Sequence, residues 1–286
     1  MRVRPSVRER DDEAIWDIAT PARPLRAAGV TMAGFDDRGR TPPGLRLIPH
    51  PAVTLGLTFG AGSITLAGAD GLHRGESFVA GLGLGFGSLR LEHAENLHCL
   101  QVRLSPVIAH AVLGVSLAEL DGVVVALDDL WGPFASRISA RLAAAATWED
   151  RFALVDALIA RRCAAMSSVE PEVDWAWHRI AVTRGRVRVD GLAAELGWSR
   201  KRLWSRFQTQ VGMPPKRAAR LVRFDHAVHR LVAGQEAAGV AADGGYTDQS
   251  HLHRDVMTFT GLTPVSVAGE PFLTIDDIAW PATMAF

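Results

Sequence analysis

Cysteine is nearly absent: the 286 residues hold two, Cys99 and Cys163. That is too few for a disulfide scaffold, and the pair has no metal-ligand spacing. Long apolar runs are missing too. The longest uncharged stretch, residues 51–69, alternates Val53, Leu55, Leu57 and Phe59 with Thr54, Gly56, Thr58 and Gly60. That is the period of a half-buried strand and not of a membrane helix. The opening MRVRPSVRERDDEAIWD lacks the apolar core of a signal peptide, so a cytoplasmic protein with no membrane partner is expected. Net charge is zero, with 31 basic and 31 acidic side chains. The balance is not local. Residues 1–174 carry 17 basic and 21 acidic groups, whereas residues 175–268 carry 14 and 7. A basic segment beside an acidic one points to a polyanion as partner of the second half alone.

Between Leu45 and Ser105 the hydrophobic period is two. Short apolar runs at 45–47, 53–59, 63–66, 77–79, 82–86, 89–91 and 97–104 are separated by turn residues. Strands at this spacing predict a small barrel or sandwich. Gly81, Gly83, Gly85 and Gly87 alternate with Leu82, Leu84 and Phe86, so a strand here would put all four glycines on one face. Such a face serves either close backbone packing or space for a small ligand. After Pro106 the period lengthens, and helices are expected at 107–113, 116–120, 130–145 and 149–165. In the last of these Phe152, Val155, Leu158, Ile159 and Arg162 form one stripe, which docks on the chain's own core or on a second copy. A polar stretch at 167–171 marks a domain boundary.

The basic half reads as helical. Asp190 is placed to cap a short helix at 191–196, Gly197 stops it, and Trp198 fills the corner. Ser199 caps a second helix, 200–210, whose buried stripe contains Leu203 and Phe207. Helix, glycine turn and serine-capped basic helix form a helix-turn-helix layout. It recurs about 48 residues later: a short helix at 237–243, Gly244-Gly245, Tyr246 in the corner, and Thr247 or Asp248 capping a helix to Phe259. A long amphipathic helix, 214–231, joins the two.

Residues 175–268 resemble the DNA-binding domain of AraC/XylS-type transcriptional regulators. The matching segments are LAAELGWS (192–199), GMPPK (212–216), RLVRF (220–224), GYTDQSHL (245–252) with Arg254, and GLTP (261–264). The stretch from LRLIPH (45–50) to LWG (130–132) is similar, less specifically, to the sensor half of some actinobacterial members. The resemblance implies two modules entering successive major-groove segments of double-stranded DNA. It places Lys201, Trp204 and Ser205 of the first module, and Gln249, Ser250, His251 and Arg254 of the second, against base edges. Lys donates to guanine O6/N7 and Gln pairs with an adenine edge. Trp204 either packs a thymine methyl or covers the apolar seam. Arg200, Arg202, Arg206, Lys216, Arg217 and Arg220 are expected at phosphates, where they fix register without reading sequence. The sequence departs from the family after Arg254, where Asp255-Val-Met-Thr258 replaces basic residues. Residues 184–223 carry 11 bases and 2 acids, but residues 236–263 carry four acids and Arg254 alone. The first module is therefore expected to dominate binding.

Catalytic and metal constellations are weak. His50, His73, His93 and His98, with Glu92 and Glu95, contain no His-x-His pair for a barrel metal site, and His251-x-His253 diverges on a helix. His226 and His229 read as a solvated helix face. Cys99 reads as a buried inert thiol, and no Gly-x-Ser-x-Gly elbow occurs. No catalytic residue, metal or cofactor is expected, and the chain is not read as an enzyme. The fold class expected is α+β, with a small cupin-like β-barrel at 1–112 and a helical appendage at 113–170 as a candidate for dimerisation. An all-α DNA-binding domain follows at 174–268, then an acidic, apolar tail at 269–286 that packs on that domain or on a neighbour. The function expected is a DNA-binding transcription regulator working as a homodimer under a small-molecule effector, touching RNA polymerase if it activates. The alternatives are a constitutive regulator with a scaffold-only barrel and a metal-dependent barrel enzyme with an accessory DNA module.

Overall fold

The computed structural model describes residues 15–39, 41–68, 71–75, 77–83, 89–165 and 169–280. Val, Leu and Phe at alternate positions make β4 (Val53–Phe59), and β9 (His98–Leu104) pairs with it antiparallel along its whole length, Val53 opposite Leu104 and Phe59 opposite His98. Around this pair a six-stranded antiparallel sheet is built in the order β1-β2-β9-β4-β7-β10. Its other strands are β1 (Trp16–Ala19), β2 (Val30–Asp37), β7 (Ser77–Ala80) and β10 (Val124–Ala126). A second sheet runs β3-β8-β5-β6, from β3 (Leu45–Arg46), β5 (Ser63–Gly68), β6 (Gly71–Gly75) and β8 (Arg90–Glu95). Among the described residues the two sheets do not hydrogen-bond into one cylinder, so the closed cupin-like barrel expected from the strand spacing is replaced by two open sheets sharing a core. Leu55, Leu57, Leu66, Leu100 and Leu104 fill that core and are at most 1% exposed. Each contributes about 1.5–3 kcal/mol of burial.

Alternation along β4 predicts a half-buried strand, yet all seven of its residues are buried. The cause is a helical cover on the second face. A Cβ on Gly34 of β2 would run into the Trp148 ring, and Trp148 meets Phe59 edge-on at 5.7 Å. Gly56 gives the same room to Phe78. The predicted helix 130–145 is in fact two, α2 (Leu127–Trp131) and α3 (Pro133–Ala144). Gly132, at φ +55°, and the missing N–H of Pro133 break it. They follow α1 (Pro106–Leu113) and the 3-10 turn Leu117–Leu120. In α4 (Trp148–Ala165) the stripe of Phe152, Val155, Leu158 and Ile159 is buried in the protein's own core. Arg162 lies 4.1 Å over Trp131 and donates to the Val112 carbonyl.

Of the glycine run, Gly85 and Gly87 lie outside the described residues. Gly81 is not in a strand; a Cβ there would collide with the Leu120 carbonyl, which favours the close-packing reading at this position. Sequence reasoning did not single out β1, β2 and β10; β1 pairs with the neighbouring β2, but β2 and β10 are held in the sheet by the remote β9 and β7.

The C-terminal helices are α5 (Pro171–Val182), α6 (Val189–Glu195), α7 (Arg200–Val211), α8 (Pro215–Val232), α9 (Ala237–Asp243), α10 (Gln249–Thr260), α11 (Pro264–Val267) and α12 (Pro271–Ala279). Phe207, Phe224 and Phe259 are the largest fully buried side chains of their core, Phe224 and Phe259 lying 4.6 Å apart. The tail helix α12 packs against α8 and also against β1 and β3. Leu273 and Asp276 on it are buried, and Arg103 of β9 forms a two-bond ion pair with Asp276 while lying 4.4 Å over Trp280.

Candidate nucleic-acid interface

Each helix-turn-helix is assembled from local signals. In the first, α6 starts at Val189, one residue before the expected cap; Arg188 precedes it and Asp190 stands in its first turn. Gly197 turns the chain at φ +64°. Ser199 then caps α7, its hydroxyl accepting from Arg202 N–H at 3.2 Å, an interaction worth about 1 kcal/mol. Leu203, Phe207 and Val211 are buried on one stripe, which fixes the rotation of α7. Lys201, Trp204 and Ser205 are consequently outward, Trp204 being 52% exposed. In the second, Gly245 turns at φ +75° and Asp248, not Thr247, caps α10 through His251 N–H at 2.7 Å. Leu252, Val256 and Phe259 face inward. Gln249, Ser250 and Arg254 are exposed and His251 is half-buried, its ring edge-on to Tyr246 at 5.4 Å.

All seven residues expected at bases therefore lie on the two capped helices, away from their buried stripes. The six expected at phosphates divide. Arg200, Arg202, Arg206 and Lys216 are exposed. Arg202 stacks 4.3 Å over Trp198, and Arg206 stands 3.4 Å from Glu170. Arg217 and Arg220 are engaged inside the protein. Arg217 donates to Asp121 at 2.6 Å, reaching from α8 to the sheet half. Burial raises the Asp121 pKa even against that guanidinium. Arg220 donates to Asp255 at 2.8 Å and Arg223 joins it at 3.1 Å.

Asp255 also changes the charge count of the second module. It is 2% exposed, and its carboxylate is neutralised by two arginines of α8. Asp243 is held by Arg230 at 2.7 Å, and Asp248 is used as a cap. The acids that made this module look repulsive are thus largely turned to intramolecular work, a fact that the count alone hid. Above Asp255 the Tyr246 ring lies 4.6 Å from Arg223, and burial raises its hydroxyl far beyond the ordinary tyrosine range.

A groove of about 830 Å³ runs between the modules, with Arg188, Lys216, Arg220, Arg223 and Arg254 among its walls. Its walls come from the start of α6, from α8 and from α10, and Asp190 and Asp255 line it beside the five cations, leaving it net positive. Sequence reasoning missed Arg188 and Arg223, because only their approach across the fold assigns them to it.

A second cleft, about 470 Å³, opens where α1 meets α5; Val107, Ile108, Val169 and Trp177 give it apolar walls, and Ser105, Asp174 and His178 polar ones. Among the described residues no helix is long and apolar enough to cross a membrane.

Residues 192–268 match a family model described as a helix-turn-helix domain. The segment is an AraC-type helix-turn-helix domain, about a quarter of the chain. No curated protein matches the chain. Among solved structures, ToxT from Vibrio cholerae O395 is similar at 10% identity with a TM-score of 0.48, over 86% of this chain and 98% of that one. ToxT from the same species with bound unsaturated fatty acid scores 0.45 at 10% identity, over 87% and 97%. The C-terminal domain of AraT, a response regulator from Geobacillus stearothermophilus, scores 0.34 at 18% identity, over 36% and 87%. Likeness at these scores is too distant to bear on this chain's function.

Proposed function

We propose that the protein is a sequence-specific, DNA-binding transcription regulator of the cytoplasm, acting as a homodimer, with residues 174–268 as its DNA-binding domain. The observation that carries the reading is the pair of side-chain-capped helices, α7 and α10, set on one core with polar and basic faces outward. Lys201, Trp204, Ser205, Gln249, Ser250, His251 and Arg254 read bases in successive major-groove segments. Arg200, Arg202, Arg206 and Lys216 bind phosphates. Arg217 and Arg220 are withdrawn from that role by their partners Asp121 and Asp255. The first module still dominates, because it holds more of the exposed cations. An activator of this design contacts RNA polymerase as well.

Control by a small-molecule effector fits the cleft between α1 and α5 better than the sheet interior, which apolar side chains fill. The cleft has a volume common for small-molecule sites, and its apolar walls suit an apolar ligand bearing a polar group. An effector acts only through unequal affinity for two domain arrangements. The filled interior equally favours the second reading, a constitutive regulator whose sheets are a scaffold.

Fluorescence anisotropy on duplexes from upstream of its own gene, with a scrambled control and a salt series, tests the DNA reading. Lys201→Ala is expected to cost roughly 1–3 kcal/mol on the specific site and Arg254→Ala less. Failure of the wild type to prefer any such duplex over the scrambled one refutes it. Ile108→Trp, which fills the cleft, separates the readings: altered regulation with intact DNA affinity supports the effector, and unaltered regulation supports the scaffold.

A further inference from the structure

Three side chains far apart in the chain converge beside α12. His50 comes from the segment between β3 and β4, His229 from α8 and Asp276 from α12; one ligand atom from each lies within 4.8 Å of the others. Asp276 Oδ2 stands 3.5 Å from His50 Nε2 and 3.5 Å from His229 Nε2. A tetrahedral ion with bonds of about 2.0–2.1 Å holds its ligand atoms roughly 3.4 Å apart, so these two edges already have the length of a filled site.

The surroundings orient the donors. His50 Nδ1 lies 2.7 Å from Asp225 Oδ1, which makes Nδ1 the protonated nitrogen of the neutral ring and leaves the lone pair on Nε2. Nε2 is buried without a hydrogen bond, and it faces a carboxylate oxygen that is itself a lone-pair donor. Two lone-pair donors turned towards each other repel unless a proton on Nε2 or a metal ion lies between them. Carboxylate, histidine and ion in line is the arrangement in which an outer carboxylate fixes the ring and raises its basicity. Asp276 is fixed in turn by Arg103, which takes one lone pair of Oδ2 at 3.1 Å and leaves the other. The His50 and His229 rings stack at 6.1 Å, and Phe272 closes one side at 6.3 Å from His50. His50 and Asp276 side chains are 7% and 2% exposed, while His229 at 27% gives a path from solvent.

We propose that His50, His229 and Asp276 bind one divalent transition-metal ion of the zinc class, with water completing the coordination. Two imidazoles and a carboxylate are the ligand chemistry such an ion takes. The ion joins the sheet half, the linking helix α8 of the DNA-binding half and the tail helix α12, and so locks their arrangement. Its presence is independent of the DNA reading. Along the chain His229 groups only with His226, and His50 only with the other histidines before residue 100, so the sequence does not bring the three together.

The test is metal uptake by the full chain after chelator treatment, with Zn²⁺ followed by calorimetry and Co²⁺ by its visible absorption. One Zn²⁺ per chain and a four-coordinate Co²⁺ spectrum are expected. His229→Ala, at a partly exposed position that tolerates truncation, is expected to abolish both, and Asp225→Asn to weaken Zn²⁺ by about 10–100-fold. His253→Ala, at an exposed histidine elsewhere, leaves uptake unchanged. Failure of the wild type to take up Zn²⁺ overturns the proposal. So does uptake that His229→Ala and His50→Gln leave intact, which marks surface histidines as the ligands.

Discussion

Asp255 separates what a charge count expects from what the fold expects. It is 2% exposed and accepts three hydrogen bonds, two from Arg220 at 2.8 and 3.3 Å and one from Arg223 at 3.1 Å. By charge alone, Asp255→Ala removes an acid from a DNA-binding module and costs nothing. By structure it removes the only acceptor that these three bonds have in common, at the contact between α8 and α10. Losing one partner of a buried pair costs about 3–5 kcal/mol. The Arg220 side chain is 37% exposed and recovers hydration, while Arg223 at 15% recovers little. Discounting for Arg220, we expect Asp255→Ala to destabilise the helical half by about 3 kcal/mol. Urea unfolding followed by far-ultraviolet circular dichroism measures this, with Arg220→Ala and the double variant completing a cycle. A coupling energy of about 1–2 kcal/mol is expected between the two positions. A loss below about 1 kcal/mol in Asp255→Ala, or additivity in the cycle, refutes the argument that this carboxylate holds the modules together.

In a salt series, Arg202→Ala is expected to lower the slope of log affinity against log salt by about 0.9. Arg217→Ala is expected to leave that slope nearly unchanged, since its guanidinium is bound to Asp121; equal effects would put Arg217 back at a phosphate. Cys99 is buried and its thiol is pushed up to about 12, so thiol reagents at neutral pH should modify it only on unfolding, which mass spectrometry after mild alkylation checks. Burial acts to raise the Asp225 pKa, but the hydrogen bond from His50 and the charges of His50, His229 and Arg103 win and hold it below the ordinary carboxylate value. A depressed folded pKa gives stability that is present above the unfolded value of about 3.9 and is lost as pH falls through the folded one. The stability gap between wild type and Asp225→Asn should therefore shrink only in acid below about pH 4. A gap that shrinks between pH 6 and pH 5 would assign the effect to another group.

The DNA-binding half was legible in the sequence because its signals are short-range. Gly197, Trp198 and Ser199 specify a turn and a cap within a few residues, and the spacing of Leu203 and Phe207 fixes which side of α7 is left outside. The repeat around Gly245, Tyr246 and Asp248 follows the same logic a second time. Helix periodicity does not tell an exposed cation from one paired inside the protein, so Arg202 and Arg217 look alike along the chain and differ only through Trp198 and Asp121.

The sequence by itself determined the helix-turn-helix units, the β-rich character of the first half and the division of charge, since each rests on hydrophobic period, turn chemistry or local composition. Tertiary structure alone decided the rest. Whether the strands close into a barrel depends on which edges meet, and β4 finds β9 and β7 while β5 finds β8, across loops that carry no register of their own. The same holds for the buried polar cluster: His50 and Asp225 are 175 residues apart, and Arg103 and Asp276 are 173 apart. No periodicity links residues at such separations. They meet because apolar burial brings α8 and α12 onto the sheets, and the polar groups trapped between must then satisfy one another.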